Sequence, residues 1–219
     1  MTSPARAPGR PAGARGEDLL AVARNAFLDN GFAGTTMQDV AARAGISKTS
    51  LYREHARKDD LFAAVVLDWA ARGQGAMRPA LEAFLATEPL RTGLLELVRV
   101  VQEAVLDEAP LRMRRLVAAE AERSPIVSAR YVAASWDANI AELAGALATL
   151  RDRGSIRAGA DPHLAAEQLT WMAVGAPLNA QTLGAPALAD ERLLLVAQAA
   201  VDAFMRAYGR QGRRSRRGI

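Results

Sequence analysis

A chain of 219 residues, half of them hydrophobic, can bury one large core or two small ones. The formal charge of +4 is unevenly spread: Arg206, Arg210, Arg213, Arg214, Arg216 and Arg217 share a terminal stretch without an acid, so the remainder sits near about −2 and bulk charge does not announce a nucleic-acid binder. The absence of cysteine excludes disulfides, thiolate metal sites and thiol nucleophiles, two histidines leave little for metal or acid–base chemistry, and no apolar run reaches the length of a membrane helix; the expectation is a cytoplasmic non-enzyme with no cofactor, metal or membrane partner.

In chain order, residues 1–16 are rich in Pro, Gly, Ala and Arg without a hydrophobic period and are expected to form a disordered basic arm in which Arg6, Arg10 and Arg15 lie. A first helix is predicted over 17–30, with Leu19, Ala23, Ala26 and Phe27 on one face. Gly31 suits the left-handed residue that ends it, placing Phe32 to pack back on Phe27. Thr35 and Gln38 carry capping-box spacing for a second helix whose buried face is Met37, Val40, Ala41 and Ala44. Gly45 stops that helix, and Ser47 caps a third almost at once. Further helices are predicted over 58–85, 90–108, 111–123, 125–153, 162–183 and 190–208, with Pro162 behind an Asp161 cap and a kink or break near Pro177. Residues 209–219 are expected to be a disordered basic tail. No strand and no internal repeat is evident. The fold class is therefore all-α, with about nine helices. Residues 17–62 form a three-helix helix-turn-helix domain, and residues 63–208 a helical bundle for dimerisation and effector binding.

Two short helices joined through Gly45 and Ile46 present the N-terminus of the second to a major groove. Backbone amides there favour phosphate, and small hydroxyls beside a lysine reach backbone or base edges unobstructed. Leu51 is expected to face inward, leaving Lys48, Thr49, Tyr52 and Arg53 outward. The stretch LLAVARNAFLDNGFAGTTMQDVAARAGISKTSLYREHARKDDLF, ending at Phe62, closely resembles the TetR family of bacterial transcriptional regulators. The resemblance implies phosphate contacts from Thr36, Tyr52 and Lys58, and base or groove contacts from Gln38, Lys48, Thr49, Ser50 and Arg53. A second stretch, RLVAAEAERSPIVSARYVA, is similar to the C-terminal domain of the AefR-like branch. The chain departs from the family pattern at His55, Ala56 and Arg57, where an aromatic and then a proline or small polar residue are usual. His55 either fills the space of that aromatic or contacts phosphate.

Over the C-terminal helices Trp69, Met77, Phe84, Met113, Trp136, Trp171 and Met172 are core residues one by one, yet together they can wall an apolar effector cavity. Asn139, Gln168 and Asn179 either orient a ligand or face water, and His163 caps or decorates a helix surface. The last two long helices each carry two apolar stripes. One bears Ala165, Leu169, Met172 and Ala176 beside Trp171, Val174 and Leu178; the other bears Leu193, Ala197, Ala200 and Phe204 beside Leu194, Val201 and Met205. A second stripe implies a second partner, hence a four-helix dimer interface. The expected function is a ligand-responsive regulator: a repressor that binds a palindromic double-stranded DNA operator as a homodimer and is released by a small hydrophobic effector. Rival readings are an all-helical enzyme acting on a hydrophobic substrate and a protein-interaction module.

Overall fold

The computed structural model describes residues 16–210, so nearly all of the predicted arm and tail lies outside the described residues. Among the described residues there is no strand, and the chain divides into two compact units between Asp68 and Trp69.

The first unit holds α1 (Glu17–Gly34), α2 (Met37–Arg43), α3 (Lys48–Glu54) and the start of α4 (Lys58–Gly73). Gly31 takes φ 69° and ψ 174°, a combination open essentially to glycine alone, and α1 bends there before a final turn. The bend returns Phe32 onto Phe27 as predicted, with ring centroids 5.9 Å apart. Phe62 of α4 meets both rings edge-on at 5.4 and 5.2 Å, a third member that no local pattern announced. The predicted capping box is displaced by one residue. Thr36, not Thr35, caps α2: its hydroxyl oxygen accepts from the Asp39 amide at 3.1 Å and donates to the Asp39 carboxylate at 2.6 Å. Thr35 is wholly buried instead, its hydroxyl shared between the carbonyls of Ala26 (3.0 Å) and Gly31 (2.8 Å).

The second unit holds α5 (Arg78–Ala86), α6 (Leu90–Leu106), α7 (Glu108–Ala119), α8 (Pro125–Val132), a π-helical turn (Ala133–Asp137), α9 (Ala138–Asp152), α10 (Pro162–Thr182) and α11 (Asp190–Tyr208). The segment predicted as one helix over 58–85 is two. Gly75 adopts φ 73° between them, and Pro79 occupies the first turn of α5, both ordinary stop and start signals. Asp161 caps α10 as expected, accepting from the His163 and Leu164 amides at 2.9 and 3.2 Å. Gly209, assigned to the tail by sequence, pairs in antiparallel fashion with Ile156, and the Arg157 amide donates to the Tyr208 carbonyl at 2.9 Å.

Helix α10 is not broken at Pro177, and the reason lies in α6. Proline has no N–H, so the carbonyl four residues earlier, that of Ala173, lacks its helical donor. Gln102, only 3% exposed, supplies one: its Nε2 donates to the Ala173 carbonyl at 3.1 Å and to the Leu193 carbonyl of α11 at 3.2 Å. One buried amide thus ties α6, α10 and α11 at the centre of the apolar core, where Leu94, Leu169, Val174, Val201 and Phe204 pack.

Candidate nucleic-acid interface and small-molecule cavity

The reading face is built from α2 and α3. Ser47 opens α3, accepting from the Ser50 amide at 3.1 Å while its own hydroxyl donates to the Ser50 hydroxyl at 3.0 Å. Leu51 is fully buried and fixes the roll of α3, so that Lys48, Thr49, Tyr52 and Arg53 are exposed as predicted, Tyr52 at 48%. Gln38 is exposed on α2 and Ser50 is half-buried. An ion pair from Arg43 to Asp29 (3.3 Å) ties α2 to α1.

Two of the predicted contacts already have work within the unit. The Thr36 hydroxyl caps α2, and Lys58 Nζ donates to the carbonyls of Phe32 (2.8 Å) and Thr35 (2.9 Å) while standing 4.4 Å from the centre of the Phe32 ring. Lys58 therefore neutralises the carbonyl end of α1, whose last turn, like that of any helix, leaves carbonyls short of helical donors. His55 terminates α3 in extended conformation and is half-buried.

A cavity of about 380 Å³ lies wholly within the second unit. Its walls include Trp69, Met77, Leu97, Val101, Trp136 and Leu143, so three of the seven predicted wall residues, Trp69, Met77 and Trp136, come together there. The other four do not line it. Phe84 and Met113 are buried in packing, whereas Met172 and Trp171 are exposed on α10, Trp171 stacking on Trp136 with centroids 5.1 Å apart. Of the polar candidates Asn139 lines the cavity, Gln168 accepts from the Tyr208 hydroxyl at 2.8 Å, and Asn179 is exposed. His163 is exposed 3.8 Å from Glu167, on the helix surface.

Sequence reasoning missed Arg72, Arg114, Tyr131 and Ser135 in the cavity wall. A signal was present for two of them, since Tyr131, Ser135 and Asn139 recur every fourth residue along one helical face. They straddle the π turn, where the widened backbone leaves carbonyls to be satisfied by side chains: the Ser135 hydroxyl donates to the Tyr131 carbonyl and Asn139 Nδ2 to the Ser135 carbonyl, each at 2.6 Å. Burial pushes the Tyr131 phenol above its ordinary value, with the positive charge of Arg114 pulling partly the other way.

A short exposed helix, capped by serine and set by a tight turn on a buried support, makes this a helix-turn-helix protein carrying a separate helical unit with an apolar cavity. Residues 19–65 match the family described as bacterial regulatory proteins, tetR family, and residues 92–210 match the C-terminal domain of AefR-like transcriptional repressors. The chain belongs to the TetR family of bacterial transcriptional regulators, whose members are regulators and not enzymes.

Among solved structures, a TetR-family transcriptional regulator from Mesorhizobium loti MAFF303099 is 30% identical with a TM-score of 0.82, over 87% of this chain and 95% of that one. The flavonoid-responsive regulator FrrA is 23% identical with a TM-score of 0.69, over 89% and 96%. A TetR-family regulator from Pseudomonas syringae pv. tomato DC3000 is 23% identical with a TM-score of 0.67, over 87% and 95%. No curated protein matches the chain in sequence. No helix among the described residues is long and apolar enough to cross a membrane.

Proposed function

We propose that this regulator is a repressor that binds a palindromic operator in the bacterial cytoplasm as a homodimer and leaves it when a small, largely apolar molecule enters the cavity of its second unit. The observation that carries the reading is the pairing, in one chain, of an exposed reading helix with an apolar cavity large enough for a small ligand. The flavonoid response of FrrA is consistent with such a ligand. Gln38, Lys48, Thr49, Ser50, Tyr52 and Arg53 make the DNA contacts in this proposal, while Thr36 and Lys58 hold the shape of the face. The reading domain is residues 17–62 and the effector and dimerisation domain residues 63–208. Helix α4 begins with Lys58 in the first and contributes Trp69 and Arg72 to the cavity wall in the second.

The proposed dimer face is narrower than the double stripes suggested. Val174, Leu178 and Val201 are buried within their own unit, because α10 is packed by α6, α9 and α11 together and so buries more than one stripe. The large apolar residues left exposed on these helices are Leu164, Trp171, Met172 and Leu195, with Leu183 just beyond the end of α10. Two copies joined there read half-sites about 34 Å apart, so a modest change in their separation weakens both contacts.

Selection of bound fragments from a random DNA pool tests the proposal: a palindrome with half-sites one helical turn or a multiple apart is expected, and enrichment of an asymmetric site or of none refutes it. Ligands found by thermal shift should then weaken operator binding and be weakened by operator in equal measure, as linkage requires.

A further inference from the structure

Resting on the reading of the cavity as a ligand site, we propose that it selects an apolar molecule bearing one negative charge, a carboxylate or comparable acidic group, with Arg114 as the charge partner and the Tyr131 hydroxyl donating beside it.

The cavity wall contains no aspartate or glutamate, and its two charged residues are Arg72 and Arg114. Arg72 is already engaged within the protein. Arg114 is half-buried, its guanidinium 5.4 Å from the centre of the Trp136 ring, and among the described residues it has neither an ion pair nor a hydrogen-bond acceptor. A cation drawn partly out of water with only an aromatic face for company gains most from an anion. The uncharged polar groups sharpen the choice. Ser135 and Asn139 spend donors on the carbonyls of Tyr131 and Ser135 across the π turn. Tyr131 is buried, its phenol is protonated at neutral pH as any tyrosine is, and its hydroxyl makes no hydrogen bond among the described residues. Thr170 and the second Asn139 N–H remain as neutral donors, but the wall's charge is wholly cationic, and the Arg114 guanidinium with the Tyr131 O–H offers donors that suit a carboxylate better than an amine. Most of the remaining wall is apolar, Trp69, Met77, Leu97, Val101, Val105 and Leu143 among it, and calls for an apolar body.

A matched pair of fluorescent probes tests this on the full chain: 1-anilinonaphthalene-8-sulfonate and N-phenyl-1-naphthylamine, which share a ring framework and differ by the anionic group. Energy transfer from tryptophan reports occupancy, and Val101→Trp, which fills the cavity, should abolish both signals. Arg114→Gln should weaken the anionic probe about tenfold and the neutral one less than twofold, Arg114→Lys should restore most of the difference, and Tyr131→Phe should weaken the anionic probe about threefold. Thermal melting of each variant, with the Lys variant as the folded control, separates lost recognition from lost structure. Equal effects of Arg114→Gln on the two probes, or none on the anionic probe, overturn the charge assignment while the cavity remains a ligand site. Failure of both probes to bind the unaltered protein, or binding undiminished by Val101→Trp, overturns the cavity reading itself.

Discussion

Replacing Gln102 by Leu should destabilise the second unit by about 1–3 kcal/mol, the usual cost of stranding a buried hydrogen-bonding group. The stranded group is the Ala173 carbonyl, which Pro177 cannot serve and which Gln102 now serves at 3.1 Å. The Leu193 carbonyl loses the same donor, yet it lies inside α11, where the amide of residue 197 is placed to bond it. The cost therefore depends on proline at 177, and a double-mutant cycle exposes the dependence. Pro177→Ala restores an N–H opposite Ala173, so Gln102→Leu should cost about 1 kcal/mol less in that background, a coupling within the range seen for residues sharing a partner. All three tryptophans, Trp69, Trp136 and Trp171, belong to the second unit, so their fluorescence during urea unfolding at one fixed protein concentration follows that unit alone. Costs that add to within about 0.3–0.5 kcal/mol would refute the assignment of Gln102 as the surrogate donor for the proline.

Lys58→Ala should lower the stability of the reading unit by about 1.5–3 kcal/mol through lost charge-assisted bonds to the Phe32 and Thr35 carbonyls. Its salt slope for DNA binding, read by fluorescence anisotropy, should stay near that of the unaltered protein, whereas Arg53→Ala should weaken binding and relax base preference; a slope lowered by about one in Lys58→Ala would assign Lys58 to phosphate. Gly31→Ala should cost about 1–3 kcal/mol although no atom lies within 4 Å of the added methyl, because the strain is in the backbone; an unchanged melting temperature would refute this. Trp171→Glu with Leu195→Glu should yield a folded monomer in sedimentation velocity, since the two side chains are 47% and 55% exposed, and a dimer surviving both would move the interface off this face.

The reading face was legible in the sequence because it is built from near neighbours. Gly31, Gly45, Ser47 and Leu51 act through turn geometry, capping and helical period, all of which operate over a few residues, and each behaves in the fold as its spacing requires. The same locality fixed the Asp161 cap and the starts of α4, α6, α8, α10 and α11, while several helix ends and the start of α7 differ by two to four residues. The misplaced cap shows the limit: Thr35 and Thr36 are equally good by local pattern, and the bend at Gly31, which offers Thr35 two carbonyls, decides between them.

What the tertiary structure alone decided are the relations between residues far apart in the chain. Lys58 reaches back to the carbonyls of α1, and Gln102 repairs a defect at Pro177 from another helix. The cavity takes Trp69, Met77 and Trp136 but leaves Trp171 outside and brings in Arg114 and Tyr131. Hydrophobic periodicity says only that a helix has an apolar face; which neighbour covers that face, and where covering stops short and leaves a cavity, depends on how several helices cross at once.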